Sequence, residues 1–312
     1  MTQPPDLQAV DRLDPVLRAV AVSRTVFTAE AIPLVRASMN ERRRLAAPPQ
    51  AATTGVAIEH ADAGGAVPVR IYRAAPAPAP VVVYCHPGGF ALGDLETDHR
   101  QCLEIARRAR CAVVSVDYRL APEHPYPAAL DDAIAALRWV VENAAQLGVD
   151  AARLAVAGSS AGATLAAGLA QRAADGALPP VVFQLLHQPV LDDRPTASMS
   201  EFRATPAFDA EAAGLMWGHY LAGQGASEAA VPARRAELRG LPPALITCAE
   251  VDPFRDEAVE YALRLLRCGV PTELHVFPGV CHGFDSLLPD WRVSRRLFAL
   301  QADALAAALR TG

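Results

Sequence analysis

Short runs rich in β-branched residues alternate with longer helical patterns through this chain, and no other pattern in the sequence narrows the choice of fold as far. Eight runs are typical of strands, at residues 56–60, 69–72, 81–85, 112–116, 154–157, 181–186, 244–249 and 273–277. Apolar periodicity predicts helices near residues 98–110, 128–147, 161–174, 257–268 and 291–309. Because strands separated by helices pair in parallel, the sequence predicts an α/β fold with a mostly parallel sheet of about eight strands, flanked by helices.

Two segments fall outside this alternation, residues 1–50 and about 192–240. The first has helical patterns with proline breaks, and the second follows the sixth predicted strand without a strand pattern of its own. Insertions at the carboxyl ends of parallel strands lie over the crevice where such sheets bind ligands. We therefore expect one domain, residues 1–312, in which these two segments form a helical cap.

Composition excludes several classes of function. A net charge of −5 argues against nucleic acid as a partner. The uncharged stretch 154–170 is too short and too rich in glycine and serine to span a membrane, and the N-terminus lacks the pattern of a signal peptide. Six cysteines are scattered without a Cys-x-x-Cys pair, which disfavours a zinc site. We expect a cytoplasmic protein with reduced thiols, no metal and no organic cofactor.

The sequence "VAGSSAGAT" at 156–164 places Gly158, Ser160 and Gly162 in the spacing Gly-x-Ser-x-Gly. The spacing alone is a weak signal, and a glycine-rich turn with serine as a helix cap is the alternative. A predicted strand precedes it, however, and a predicted helix follows. That context favours a nucleophilic serine on a sharp turn, at a helix N-terminus that favours negative charge.

A serine hydroxyl needs a base to take its proton, and in this topology an acid and then a histidine follow the serine along the chain. His282 comes just after the last predicted strand, and Asp252 follows the seventh. The candidate acids there are Glu250, Asp252 and Asp256. We expect Asp256 to cap the next helix and Asp252, in the loop before Pro253, to be the acid, with a plain Asp-Pro turn as the alternative. His187, at the end of the sixth strand, is a candidate for lining the pocket. The candidate catalytic residues are therefore Ser160, Asp252 and His282.

Five motifs resemble the hormone-sensitive-lipase group of α/β-hydrolases, the bacterial family IV esterases. They are "HPGGF" at 86–90, "VDYRLAPEHPYPAALDD" at 116–132, "GSSAGA" at 158–163, "DPFRDE" at 252–257 and "HGF" at 282–284. Together they span most of the chain in the order that the family has. The resemblance implies the α/β-hydrolase fold with a helical cap, and it implies the same triad, Ser160, Asp252 and His282.

The family's "HGGG" loop corresponds to residues 86–89. The resemblance implies an oxyanion hole formed by the N–H groups of Gly88, Gly89 and Ala161. The chain departs from the family pattern at three positions, with Pro87 for a glycine, Ser159 for an aspartate and Ala163 for a glycine. None of the three removes a triad side chain or an expected donor. Proline lacks an N–H, but this position is not expected to donate, and we expect the ring to stiffen the loop.

The leading hypothesis is a serine carboxylic-ester hydrolase that acts on short- to medium-chain esters through an acyl-enzyme, without a cofactor. An amidase or peptidase on the same fold stays open, although the chain has no room for a large gating domain. A ligand-binding relative without catalysis also stays open, and the presence of His282 argues against it. An exposed last strand would permit a homodimer.

Overall fold

An eight-stranded sheet forms the body of the protein in the computed structural model, which describes residues 7–45 and 53–310. The strands are β1 (Ala57–Ala63), β2 (Val67–Arg73), β3 (Ala79–Cys85), β4 (Ala112–Val116), β5 (Val149–Ser159), β6 (Phe183–His187), β7 (Ala244–Val251) and β8 (Thr272–Cys281). Their spatial order is β1-β2-β4-β3-β5-β6-β7-β8. Strand β2 is antiparallel to β1 and β4, and the other pairs are parallel. The predicted fold class is confirmed.

The helices of the described residues are α1 (Leu7–Asp11), α2 (Pro15–Arg18), α3 (Ile32–Leu45), α4 (His99–Ala109), α5 (Ala128–Glu142), α6 (Ala144–Leu147), α7 (Ala161–Ala174), α8 (Ala197–Glu201), α9 (Ala210–Leu221), α10 (Arg255–Arg267), α11 (Phe284–Leu287) and α12 (Arg292–Ala308). A single helix over 128–147 is wrong, because α5 ends before Asn143. The Asn143 side chain bonds back to the Trp139 carbonyl at 2.9 Å, an arrangement that competes with helix continuation.

The central strands are buried on both faces, which is why they consist of β-branched and other apolar residues. On β3, Val81 and Val83 face the core beneath α5, α7 and α10, whereas Val82 and Tyr84 face the core beneath α4 and α12. Burying one such side chain contributes about 1.5–3 kcal/mol, so each strand position favours this two-sided arrangement. The helices cover the two faces of the sheet, and the carboxyl ends of the strands lead into the loops that carry the candidate site.

The two segments that the sequence sets apart, here called the cap segments (7–45 and 192–240), contact each other. The N–H of Thr25 donates to the Ala207 carbonyl at 2.8 Å, and the N–H of Ala207 donates to Ser23 at 2.9 Å. The Arg24 guanidinium bonds to Asp209, the N-cap of α9. These contacts support one shared cap, which stays a prediction; residues 1–6 and 46–50 of the predicted segment lie outside the described residues.

All six cysteines are free thiols, and five of them are buried. Within residues 7–45 and 53–310, none of the helices is both long enough and apolar enough to cross a bilayer. The edges of the sheet are β1 and β8.

Candidate active site

Ser160 occupies a sharp turn between β5 and α7. Its φ of +53° and ψ of −121° lie outside the regions that a residue with a side chain normally adopts. A Cβ on Gly158 would lie 2.2 Å from the Gly162 carbonyl oxygen, and a Cβ on Gly162 would lie 2.0 Å from the Cys85 carbonyl oxygen. Because no side chain fits at either position, the two glycines of the motif are what allow a turn this tight.

A continuous hydrogen-bonded path joins the three candidate catalytic side chains. His282 Nε2 lies 2.9 Å from Ser160 Oγ, and His282 Nδ1 lies 2.8 Å from Asp252 Oδ2. Since a carboxylate oxygen only accepts, Nδ1 carries the imidazole proton and Nε2 is free to accept from the serine hydroxyl. Asp252 is fully buried, and Ser160 and His282 are 5% and 7% exposed. The structure thus brings together the residues selected from the sequence.

The carboxylate of Asp252 is held on both oxygens. Its Oδ1 accepts the N–H of Phe254 at 2.9 Å, while Oδ2 faces His282. The residue therefore makes the Asp-Pro turn and also reaches the histidine. The prediction that Asp256 caps the following helix is wrong: the N-cap is Phe254, and Asp256 accepts the N–H of Ser198 at 2.8 Å. That bond crosses between cap and body and has no signal in the local sequence.

The loop after β3 carries the other predicted group of donors. Gly88 has φ +135° and Gly89 has φ +60°, conformations that favour glycine. The N–H groups of Gly88, Gly89 and Ala161 donate to no acceptor within the part of the chain that is described. Because Gly162 touches the Cys85 carbonyl, the N-terminus of α7 sits directly against the start of this loop. The three N–H groups are therefore available to a ligand at one end of the sheet.

His86 supports this loop. Burial lowers the pKa of His86 to about 4, so the ring is neutral at physiological pH. Its Nδ1–H donates to the Pro87 carbonyl at 2.8 Å, and the ring stacks on Tyr118 at 4.2 Å between centroids. The Tyr118 hydroxyl donates to the His86 carbonyl at 2.7 Å. His86 is therefore a buried structural residue of the loop.

Apolar side chains from the cap segments lie against the site. A Cβ on Gly89 would lie 2.6 Å from Phe27 Cζ and 3.3 Å from Met216 Cγ, so both side chains lie against the loop. The Phe208 ring lies 5.3 Å from Phe27 and 5.8 Å from His282. An apolar wall therefore runs from Gly89 to His282, which lowers the local dielectric constant and strengthens charge interactions there.

The prediction that His187 lines the pocket is wrong, because its side chain is fully buried. Its ring nitrogens lie 2.8 Å from Thr247 Oγ1 and 3.2 Å from Asp285 Oδ1. Burial acts to raise the pKa of Asp285, but the neighbouring His187 lowers it below its usual range. Sequence reasoning missed Thr247 and Asp285, since the His187–Asp285 contact joins positions 98 residues apart.

Residues 82–286 match a family described as having the α/β hydrolase fold. Esterase LipI of Mycobacterium tuberculosis is 41% identical over 283 residues, covering 87% of this chain and 88% of the relative. Carboxylesterase NlhH of the same species is 42% identical over 286 residues, covering 87% and 88%. The solved structure of esterase LipW from Mycobacterium marinum is 72% identical, with a TM-score of 0.94 and 98% of each chain covered. The chain belongs to the α/β-hydrolase family, in the hormone-sensitive-lipase group that its motifs resemble.

Proposed function

We propose that this chain, a carboxylesterase by its family and relatives, cleaves esters through a covalent acyl intermediate on Ser160. The observation that carries the proposal is the path of hydrogen bonds, 2.8 and 2.9 Å long, from Asp252 through His282 to Ser160. A base that is itself oriented by a carboxylate is what activates a serine hydroxyl.

In the first half of the reaction, Ser160 Oγ attacks the ester carbonyl carbon while His282 Nε2 takes the hydroxyl proton. The carbonyl electron pair moves to oxygen, and Asp252 stabilises the imidazolium that forms. When the oxyanion collapses, the bond to the alkoxy group breaks and His282 gives its proton to the departing alcohol. In the second half, His282 takes a proton from water, the hydroxide attacks the acyl carbon, and Ser160 leaves with that proton.

In both halves of the reaction, negative charge develops on the carbonyl oxygen. Stabilising that charge is the largest electrostatic requirement of the site. We assign its stabilisation to the N–H groups of Gly88, Gly89 and Ala161, which have no acceptor among the described residues. Donors that are already in position cost no reorganisation when the charge develops, and the loss of one typically costs about 3–4 kcal/mol.

The substrates that fit best are esters with short- to medium-length acyl chains. Phe27 and Met216 occupy the space against Gly89, and the acyl group must lie close to Gly89 when its carbonyl oxygen meets the donors. Both side chains come from the cap segments and are buried. The cap therefore limits how much of the substrate can be enclosed.

Hydrolysis of p-nitrophenyl acetate and butanoate tests the proposal. Ser160→Ala should lower kcat/KM by on the order of 10⁴-fold or more, and a fluorophosphonate probe should no longer label the protein. Ser159→Ala is a matched control, because the neighbouring serine is equally buried, whereas the hydrogen bond to His282 Nε2 is made by Ser160. Equal rates for the native protein and Ser160→Ala would refute the mechanism.

A further inference from the structure

The chain segment that leaves β6 runs between the two loops that carry the nucleophile and the base. The His187 carbonyl accepts the N–H of Ser160 at 2.8 Å. The next residue, Gln188, accepts the N–H of Gly283 on its side-chain Oε1 at 2.7 Å. Gly283 directly follows His282. One dipeptide therefore holds the backbone of the nucleophile turn on one side and that of the histidine loop on the other.

Gln188 is held in an unfavourable conformation. Its φ is +43°, which is uncommon for a residue other than glycine, and its N–H donates to the Thr247 carbonyl at 2.6 Å. The side chain is 1% exposed, and Nε2 is buried without a partner among the described residues. A strained backbone and an unsatisfied buried donor both reduce stability, and such features persist where they serve a function.

We propose that Gln188 is a positioning residue that sets the separation between Ser160 Oγ and His282 Nε2. Gly283 has no side chain with which to anchor the loop, and its φ is +71°. The bond from its N–H to Gln188 therefore fixes the backbone one residue from the imidazole. This inference rests on the proposed function, because the separation of Ser160 Oγ and His282 Nε2 matters for catalysis only if a proton passes between those two atoms.

Gln188→Met is the test, because methionine matches the length of glutamine but cannot accept the Gly283 N–H. A displacement of about 1 Å at a reacting pair can cost about 100-fold in rate. We expect kcat for p-nitrophenyl butanoate to fall 10- to 100-fold and KM to change less than two-fold. The thermal midpoint should fall only slightly, because the substitution removes the unsatisfied Nε2, and the Gly283 N–H that loses its acceptor is partly exposed to water.

Gln184→Met is the matched control. Gln184 is buried like Gln188, but it lies on β6 and donates to the Pro242 carbonyl at 2.9 Å, at the opposite end of the strand from the site. This control should lower the thermal midpoint and leave kcat unchanged.

Rates of the native protein, Gln188→Met and Gln184→Met are expressed per folded site, counted by fluorophosphonate labelling carried to completion, and the rate of Ser160→Ala, which the probe cannot label, is expressed per mole of protein. A kcat for Gln188→Met that equals the native value on that basis overturns the inference. If Ser160→Ala is inactive in the same assay, the proposed function stands although the role of Gln188 fails. If Ser160→Ala retains full activity, the proposed function fails instead.

Discussion

Replacing Phe27 by alanine should shift the preference of the enzyme toward longer acyl chains. The Phe27 ring is almost fully buried and lies against Gly89, where a Cβ would approach it to 2.6 Å. Its neighbour Phe208 reaches His282, with ring centroids 5.8 Å apart. Removing the phenyl group therefore opens space beside the position that we assign to the scissile carbonyl.

The size of the shift follows from the apolar surface that the new space can bury. Each methylene transferred from water contributes about 0.8 kcal/mol, which is roughly four-fold in kcat/KM. Octanoate has four more methylenes than butanoate, so full accommodation gives about 3 kcal/mol, or roughly 200-fold in the ratio of the two kcat/KM values. We expect a rise of between roughly 4-fold and 200-fold, together with a loss of about 3–5 kcal/mol in stability from the large-to-small substitution.

The assay compares kcat/KM for p-nitrophenyl butanoate and octanoate in the native protein and in Phe27→Ala. Phe202→Ala is the control for general loosening of the cap, because Phe202 is equally buried but its ring faces the Arg12 and Arg255 guanidinium groups at 5.2 and 5.1 Å. A ratio that rises less than four-fold, or that rises as much in the control, refutes the assignment of Phe27 to the wall of the acyl site.

Three further changes probe the site and its surroundings. Gly162→Ala places a Cβ 2.0 Å from the Cys85 carbonyl oxygen, so the nucleophile turn and the loop after β3 must separate, and kcat should fall about 100-fold or more; a native kcat would contradict this. Burial and the charge of Asp285 raise the pKa of Asp98 to about 6, so the folded state prefers the protonated acid and the free energy of unfolding falls as pH rises from about 4 to 6. Asp98→Asn should remove that slope in urea titrations and add at most about 3 kcal/mol at pH 8; an unchanged slope would contradict this. Pro87→Gly should lower kcat by roughly 2- to 5-fold, because glycine frees the loop that proline stiffens, and an unchanged kcat would count against that role.

The fold could be predicted because its signals are local and repeated. The run "VVVYC" on β3 is buried on both faces, and a short, continuous run rich in β-branched residues is typical of a strand inside a two-sided sheet. The break at Asn143 could not be predicted from periodicity, since the apolar pattern continues through α6. The α5 helix ends where the Asn143 side chain bonds back to the Trp139 carbonyl. That bond depends on the rotamer of one side chain.

The residues of the candidate site could be predicted from the sequence, but the residues that hold them in place could not. The Gly-x-Ser-x-Gly spacing between a strand and a helix selected Ser160, and position along the chain selected Asp252 and His282; their catalytic roles stay predictions until they are tested. The contacts of His187 and Gln188 involve residues distant in the chain, and no local pattern marks such pairs. The same reason explains the error at Asp256, whose partner Ser198 belongs to a cap segment.

The ends of the strands place the candidate residues at one edge of the sheet. Ser159 pairs with His187 across β5 and β6, and Val251 pairs with Cys281 across β7 and β8. Each of the residues Ser160, Gln188, Asp252 and His282 is the first residue beyond one of these paired positions. All four residues therefore follow the carboxyl ends of their strands at one edge of the sheet, although Val251 lies four residues beyond Thr247, the residue of β7 that pairs with His187.

The position of His282 at that edge depends on an irregularity in the last strand pair. Ala249 pairs with Phe277, but two residues later Val251 pairs with Cys281, four residues further along β8. The additional length of β8 contains Gly279, at φ +68°, whose N–H donates to the Glu250 carboxylate at 2.8 Å. With regular pairing, residue 279 would stand opposite Val251 and His282 would lie beyond the end of the ladder. The bulge returns the histidine to the edge of the sheet, and Gly279, whose positive φ permits that bulge, therefore helps to place His282.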